Sequence, residues 1–242
     1  MRLLDLLYPP RCPVCDDLRP PGEPVCHPSC RKKLTPVGDV TCVRCGKPVP
    51  DVSVELCFDC AAREESAFSR GVAAYVYEDE IRESMMRFKF LGREEYGVWY
   101  AEELFRMHSR EFADFAAEAV VPVPIHAKKL RTRGYNQAEV IAAELAERLS
   151  LPLYARFLCR NRYTPPQKAL NNHERIRNLC RALEPGPQAK RLLAKQKTPR
   201  RVLLVDDIYT TGSTLEACSL VLKTAGVEHI MVATVCIGSG YA

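Results

Sequence analysis

Apolar and polar positions recur at two periods along this chain, and the changes of period mark its elements. Residues 71–79, GVAAYVYED, read as a strand of small and aromatic residues. Residues 81–92, IRESMMRFKFLG, read as a helix closed by Gly92. A helical pattern runs from Glu94 to Ala119, followed by AVVPVPI at 119–125, a short apolar strand ended by prolines. The next stretch, QAEVIAAELAERLSL, is amphipathic at helical spacing. Further on, residues 200–226 give a buried strand, a small polar loop and a helix ending at Gly226, and HIMVATVCI is a last apolar strand. Strands alternating with helices predict an α/β fold, a mainly parallel sheet with helices on both faces. The stretch from Cys159 to Leu183 has little apolar periodicity before Ile176 and is rich in Pro, Asn and Arg, so it predicts a long mobile loop.

Before Ser69 the pattern is different. CPVCDDLRPPGEPVCHPSC at 12–30 and CVRCGKPVPDVSVELCFDC at 42–60 form a repeat of 19 residues, each copy bounded by cysteine pairs. Pro, Gly and charge separate the few apolar residues there, so a metal staple is expected. The expected boundaries are a cysteine-rich module at 1–65 and a larger α/β unit at 69–242.

Cys12, Cys15, Cys26 and Cys30, then Cys42, Cys45, Cys57 and Cys60, supply the eight thiolates that two tetrahedral Zn²⁺ ions take. The repeat favours sequential pairing over a cross-braced one. The second unit is the more regular, and His27 is a substitute ligand beside the looser CxxxC of Cys26, with an exposed histidine the expectation. All-protein ligation leaves no open position for water, which makes the zinc structural; an iron–sulfur cluster is the lesser alternative. Cys159, Cys180, Cys218 and Cys236 read as isolated thiols.

Composition narrows the setting. The chain has 242 residues, 47% hydrophobic and 27% charged, and no run of about 18 uncharged apolar residues. Arg2 and Asp5 interrupt the start, so neither a membrane span nor a signal peptide is expected, and the predicted location is cytoplasmic. Residues 126–201 hold 18 Lys or Arg against 5 Asp or Glu, although the whole chain is only +5. Such a segment suits a polyanion, a pyrophosphate or a nucleic acid backbone, or else a solvated face.

The most specific segment is VLLVDDIYTTGST, Val202 to Thr214. Its apolar run buries a central strand, so Asp206 and Asp207 emerge at the carboxyl end, where open α/β sheets bind ligands and where two carboxylates accept hydrogen bonds from vicinal hydroxyls. Thr210, Thr211, Gly212, Ser213 and Thr214 then offer hydroxyls and backbone N–H groups at a helix N-terminus, a cradle for a dianionic phosphate. Neither a Walker loop nor GxGxxG is present. Lys128, Lys129, Arg131 and Arg133 follow one strand and precede a helix, on what reads as a second loop at the same edge.

The segment resembles the phosphoribosyl pyrophosphate signature of type I phosphoribosyltransferases, with Tyr209 where many members carry an aliphatic or small residue. Together with RTRGYNQA at 131–138, the spaced Arg162, Thr164, Gln167, Leu170, Arg175 and Asn178, and the cysteine pairs, it resembles the ComF family, linked to DNA uptake in bacterial competence. The resemblance implies a double zinc ribbon joined to a type I phosphoribosyltransferase fold. It implies that Asp206 and Asp207 hold the ribose of a Mg²⁺-bound phosphoribosyl pyrophosphate, and that residues 210–214 hold its 5-phosphate. Lys128, Arg131 and Arg133 would then face pyrophosphate, and Arg162 to Arg175 would close over it as a lid. Two functions stand: transfer of phosphoribosyl to a nitrogen acceptor, or a non-catalytic module that senses this sugar phosphate or binds single-stranded DNA or a DNA-uptake protein. Any hood selecting the acceptor must come from before Val120. Tyr75, Tyr77, Phe88, Phe90, Trp99 and Tyr100 are candidate stacking residues, more simply read as core.

Overall fold

The computed structural model describes residues 9–20, 22–63, 65–162 and 172–239. Four strands form a parallel sheet in the order β1-β6-β5-β2: β1 Arg70–Val76, β2 Ala119–Pro122, β5 Arg201–Tyr209 and β6 His229–Ile237. A separate antiparallel pair joins β3 Leu158–Arg160 to β4 Leu183–Pro185. Two four-residue turns of helix, α1 Pro28–Arg31 and α2 Phe58–Ala61, lie in the cysteine-rich region. The longer helices are α3 Asp79–Phe90, α4 Tyr96–Phe115, α6 Gln137–Leu149 and α9 Ser213–Thr224, with α5 Ala127–Arg133, α7 Asn172–Cys180 and α8 Pro187–Ala194 between them.

Alternation along β5 divides the core. Leu203 and Val205 face one side with α3, α4 and α6, whereas Val202 and Leu204 face the other with α9 and the β3–β4 pair. Both sides are buried, which is why these strands read as continuous apolar runs rather than alternating ones.

The cysteine repeat straddles this sheet. Cys12, Cys26 and Cys30 join the cluster on the α4 side, and Cys42, Cys45, Cys57 and Cys60 join the cluster on the α9 side. The connector crosses at the free edge of β1, where Val37 N–H donates to the Ala74 carbonyl at 3.0 Å and Val76 N–H donates to the Thr35 carbonyl at 2.9 Å. The opposite edge is covered as well: Val120 N–H donates to the Pro152 carbonyl at 3.0 Å and Tyr154 N–H to the Val120 carbonyl at 2.8 Å. Neither edge is left as a template for pairing.

Polar anchors fix the first copy. Arg93 bonds Asp16 at 2.9 Å, and Tyr96 donates to the same carboxylate. Buried Glu103 collects Arg31, Tyr75 and Arg106, so its charge is paired and hydrogen-bonded as a buried carboxylate must be. The second copy is wedged at β1 by glycines. A Cβ on Gly46 would meet the Gly71 carbonyl oxygen at 2.6 Å, and one on Gly71 would meet the Cys45 carbonyl oxygen at 2.7 Å.

Two expectations change. The basic stretch after β2 is a short helix, α5, rather than a loop. The loop predicted over 159–183 is helical from Asn172 to Cys180, because Ile176, Leu179 and Cys180 pack at helical spacing on the α9 side. Residues 163–171 of that stretch lie outside the described residues.

Candidate functional site

β2 ends at Pro122, opposite Val205, while β5 runs on to Tyr209. The step leaves Asp206 and Asp207, both half-buried, just past the shorter strand. Beyond β2 the chain turns into α5 and α6, and beyond β5 into α9. α6 and α9 cover opposite faces of the sheet, so the two connections diverge at this point and leave a crevice. A cleft of about 310 Å³ opens there, within the range of small-ligand sites.

Carboxylates form its floor and cations its rim. Asp207 Oδ2 lies 3.0 Å from Lys89 Nζ, and Asp207 N–H donates to Asp206 Oδ1 at 2.9 Å. The Asp206 carboxyl is pushed up to about 7, first by burial and then by the adjacent Asp207 charge, against the pull of Lys89 and Arg160. Lys129, Arg133 and Arg160 complete the rim. Burial and then the neighbouring Arg160, Arg133 and Lys89 charges lower the affinity of Lys129 for its proton. Four cations around a cleft with two carboxylates suit a ligand that is polyanionic at one end and hydroxylated at the other.

The loop after β5 turns tightly into α9, and of its residues 210–214 only Thr210 and Thr214 line the cleft. Gly212 has φ +74°, and a Cβ there would meet the Tyr209 hydroxyl at 2.1 Å, so glycine is needed both for the turn and for the ring beneath it. Thr211 Oγ1 and Ser213 Oγ are 2.9 Å apart, and Thr210 and Thr214 reach the cleft. α9 starts at Ser213, which directs its first N–H groups at the loop.

The structure brings together Asp206, Asp207, Thr210, Thr214, Lys129, Arg133 and Tyr77 among the residues singled out from sequence. Lys128 and Arg131 do not line the cleft and are exposed, since the helical turn of α5 sends Lys129 and Arg133, four apart, to one face. Arg162 is exposed beyond β3, and Arg175 and Asn178 sit on α7 against α9, outside the cleft. Thr164, Gln167 and Leu170 lie outside the described residues. Lys89 and Arg160 were missed. Lys89 had a signal: it falls eight residues after Ile81 and four after Met85 on the buried stripe of α3, where a lysine needs a partner.

The cysteines pair sequentially. Ligand atoms of Cys42, Cys45, Cys57 and Cys60 lie within 4.8 Å of one another and all four residues are buried. The Cys45–Cys57 sulfur separation is 3.6 Å, close to the roughly 3.8 Å edge of a tetrahedron with Zn–S bonds of about 2.3 Å. In the first copy the converging set is Cys12, Cys15, His27 and Cys30. His27 is half-buried rather than exposed, with Nδ1 3.4 Å from Cys15 Sγ and 3.8 Å from Cys30 Sγ. Cys26 is buried beside this set, its Sγ 3.5 Å from the His27 carbonyl oxygen, and is not part of it. The wider CxxxC spacing explains the exchange, because the extra residue puts His27 rather than Cys26 one helical turn before Cys30. Both donor sets fit zinc.

Comparison with known proteins bears on both halves. A double zinc ribbon domain family matches residues 3–61, and a phosphoribosyl transferase domain family matches residues 135–241. Competence protein F of Haemophilus influenzae is 30% identical over 79% of this chain and 82% of its own. The chain belongs to the ComF family. Competence protein ComFC of Bacillus subtilis is 28% identical over 85% of this chain and 80% of its own, and DNA utilization protein YhgH of Salmonella typhimurium is 25% identical over 88% of each. The ComF chain thus carries a phosphoribosyltransferase domain, a parallel sheet flanked by helices, behind cysteine clusters of the zinc-ribbon kind. Among the described residues no helix is long and apolar enough to cross a membrane.

Proposed function

We propose that this ComF protein binds Mg²⁺-complexed 5-phosphoribosyl 1-pyrophosphate in the cleft and transfers its phosphoribosyl group to a nitrogen acceptor, in a cytoplasmic role tied to DNA uptake or use. The observation carrying this reading is the Asp206–Asp207 pair at the step between β2 and β5, with the phosphate loop on one side and Lys129 and Arg133 on the other. Asp206 and Asp207 accept hydrogen bonds from the ribose hydroxyls. The backbone and hydroxyls of 210–214 hold the 5-phosphate, and Lys129, Arg133 and Arg160 hold pyrophosphate. Magnesium, when bound with the substrate, neutralises pyrophosphate charge as the leaving group departs.

In the transfer, the bond from the anomeric carbon to pyrophosphate oxygen breaks, the bond to nitrogen forms, and the nitrogen gives up its proton to the departing pyrophosphate or to water. Fixed cations favour the departing pyrophosphate, and the nearby carboxylates favour the positive charge that develops on the sugar. The ribbon region, 1–65, supports the region 69–242 that binds substrate. The names of the relatives, which concern competence and DNA utilization, support the proposed setting. The exposed Lys128 and Arg131 support a second ligand, single-stranded DNA or a DNA-uptake protein, outside the cleft.

Pyrophosphate release in the presence of phosphoribosyl pyrophosphate and a panel of nucleobases and amines tests transfer. Release by the wild type with one acceptor, and none by Asp207→Asn, is expected. Tight binding with no release across the panel would favour sensing over transfer.

A further inference from the structure

The end of the second cysteine copy lies directly under the phosphate loop. Arg63, three residues past Cys60, is only 5% exposed. Its Nη2 donates to the Thr211 carbonyl, and its Nη1 lies 3.7 Å from Glu216 in the first turn of α9. Glu216, equally buried, also accepts from Ala67 N–H at 2.7 Å and Ser66 Oγ at 2.9 Å. The segment is tied back to the cysteine cluster as well: Arg44 Nη1 donates to the Cys60 carbonyl at 2.8 Å and the Arg63 carbonyl at 3.1 Å. A second contact runs alongside. Buried Lys47 pairs with Asp59 at 2.5 Å and sits 5.8 Å from the centre of the Tyr209 ring, the ring on which Gly212 rests.

We propose that Arg63 is a positioning residue for the phosphate loop, through which metal bound at Cys42, Cys45, Cys57 and Cys60 sets the affinity for the 5-phosphate. In a trans peptide the carbonyl and the following N–H point in opposite directions. By fixing the Thr211 carbonyl toward the ribbon, Arg63 directs the Gly212 N–H away from the ribbon, as a phosphate seated on the loop requires. A cradle held in this geometry before binding spares the ligand the cost of ordering it. Arg63 is in turn held by Ala61 and Ala62, the two residues that connect it to Cys60, so release of the metal frees the residue that orients the peptide. The first cysteine copy, on the other face of the sheet, is anchored to α3 and α4 and makes no contact of this kind among the described residues.

The proposal rests on reading 210–214 as the phosphate cradle, and its test separates the two. Calorimetric titration of zinc-loaded Arg63→Met with Mg²⁺ and phosphoribosyl pyrophosphate is expected to show affinity down about tenfold, with zinc content equal to that of the wild type. Arg63→Lys recovers part of the loss. Asp16→Asn, which loosens the first copy, stays within about twofold of the wild type. Hydrogen exchange at the amides of 211–214 gives a readout independent of this ligand: exchange is faster in Arg63→Met, and in wild type stripped of metal from the second cluster. If the wild type does not bind the sugar phosphate, the proposed function fails, and the exchange data alone decide the coupling. Should Arg63→Met fail to fold, Arg63→Lys and metal-stripped wild type carry the test. Unchanged affinity and unchanged exchange at 211–214 in the variants that fold would overturn the role of Arg63.

Discussion

Asp206 stands where the fold alone would not place a charge. It continues a strand of Val and Leu, pairs in register with Thr234, and has a second carboxylate as its neighbour. Its ordinary value near 3.8 is raised to about 7, so between roughly pH 4 and 7 the folded protein holds a proton that the unfolded chain has released. Stability contributed by that proton is complete below about pH 4 and is lost as the pH rises through 7. Asp206→Asn removes the titration. Thermal unfolding followed by circular dichroism is expected to show this variant melting about 5 °C above the wild type at pH 8, with the gap closing toward pH 4. Equal melting temperatures at pH 8 would mean that the carboxylate costs the fold nothing. Both aspartates were legible in the sequence, because two adjacent carboxylates after four aliphatic residues exceed what a helix cap needs. Arg63 was not legible: nothing local distinguishes an arginine three residues past a cysteine, and its role depends on a carbonyl 148 residues away.

At the scale of elements, α5 decides which basic residues matter. Read as a loop, the KKLRTR stretch assigns Lys128, Arg131 and Arg133 to pyrophosphate and gives Lys129 no role. As a helix it commits Lys129 and Arg133 to the cleft and turns Lys128 and Arg131 to the surface. Titrations of alanine variants should divide accordingly. Arg133→Ala is expected to weaken binding of phosphoribosyl pyrophosphate at least about tenfold, while Arg131→Ala stays within about twofold. Equal losses would place all four residues on one ligand. The period of the long helices and the apolar strands was readable because burial imposes it. α7 was hidden because its apolar residues begin only at Ile176, and it takes its order from α9 rather than from its own pattern. Arg160 was hidden likewise, on a three-residue strand whose pairing with β4 lies 23 or more residues away in sequence.

Across the whole molecule, the cysteine repeat is both legible and incompletely so. Its spacing supplied the second cluster and three ligands of the first, with Cys26 where the structure puts His27, and it favoured the sequential pairing that the structure shows, but spacing says nothing of where each copy docks. The structure puts one copy on each face of the sheet, joined around the edge of β1. Metal removal should therefore affect the whole fold. Chelation at neutral pH is expected to expose core tryptophan fluorescence from Trp99 and lower the melting temperature in a single transition, because both copies contribute to the sheet's own core. Two resolved transitions, one unaffected by chelation, would show that the ribbons and the sheet fold separately.

The cleft at the β2–β5 step is proposed as a phosphoribosyl pyrophosphate site. Calorimetric titration of the zinc-loaded protein with that compound, with and without Mg²⁺, tests it most directly when repeated on the Asp206→Asn/Asp207→Asn variant. Mg²⁺-dependent, one-to-one binding by the wild type is expected, lost in the double variant while its unfolding stays cooperative. Binding of equal strength in both proteins would contradict it, and so would no binding in either.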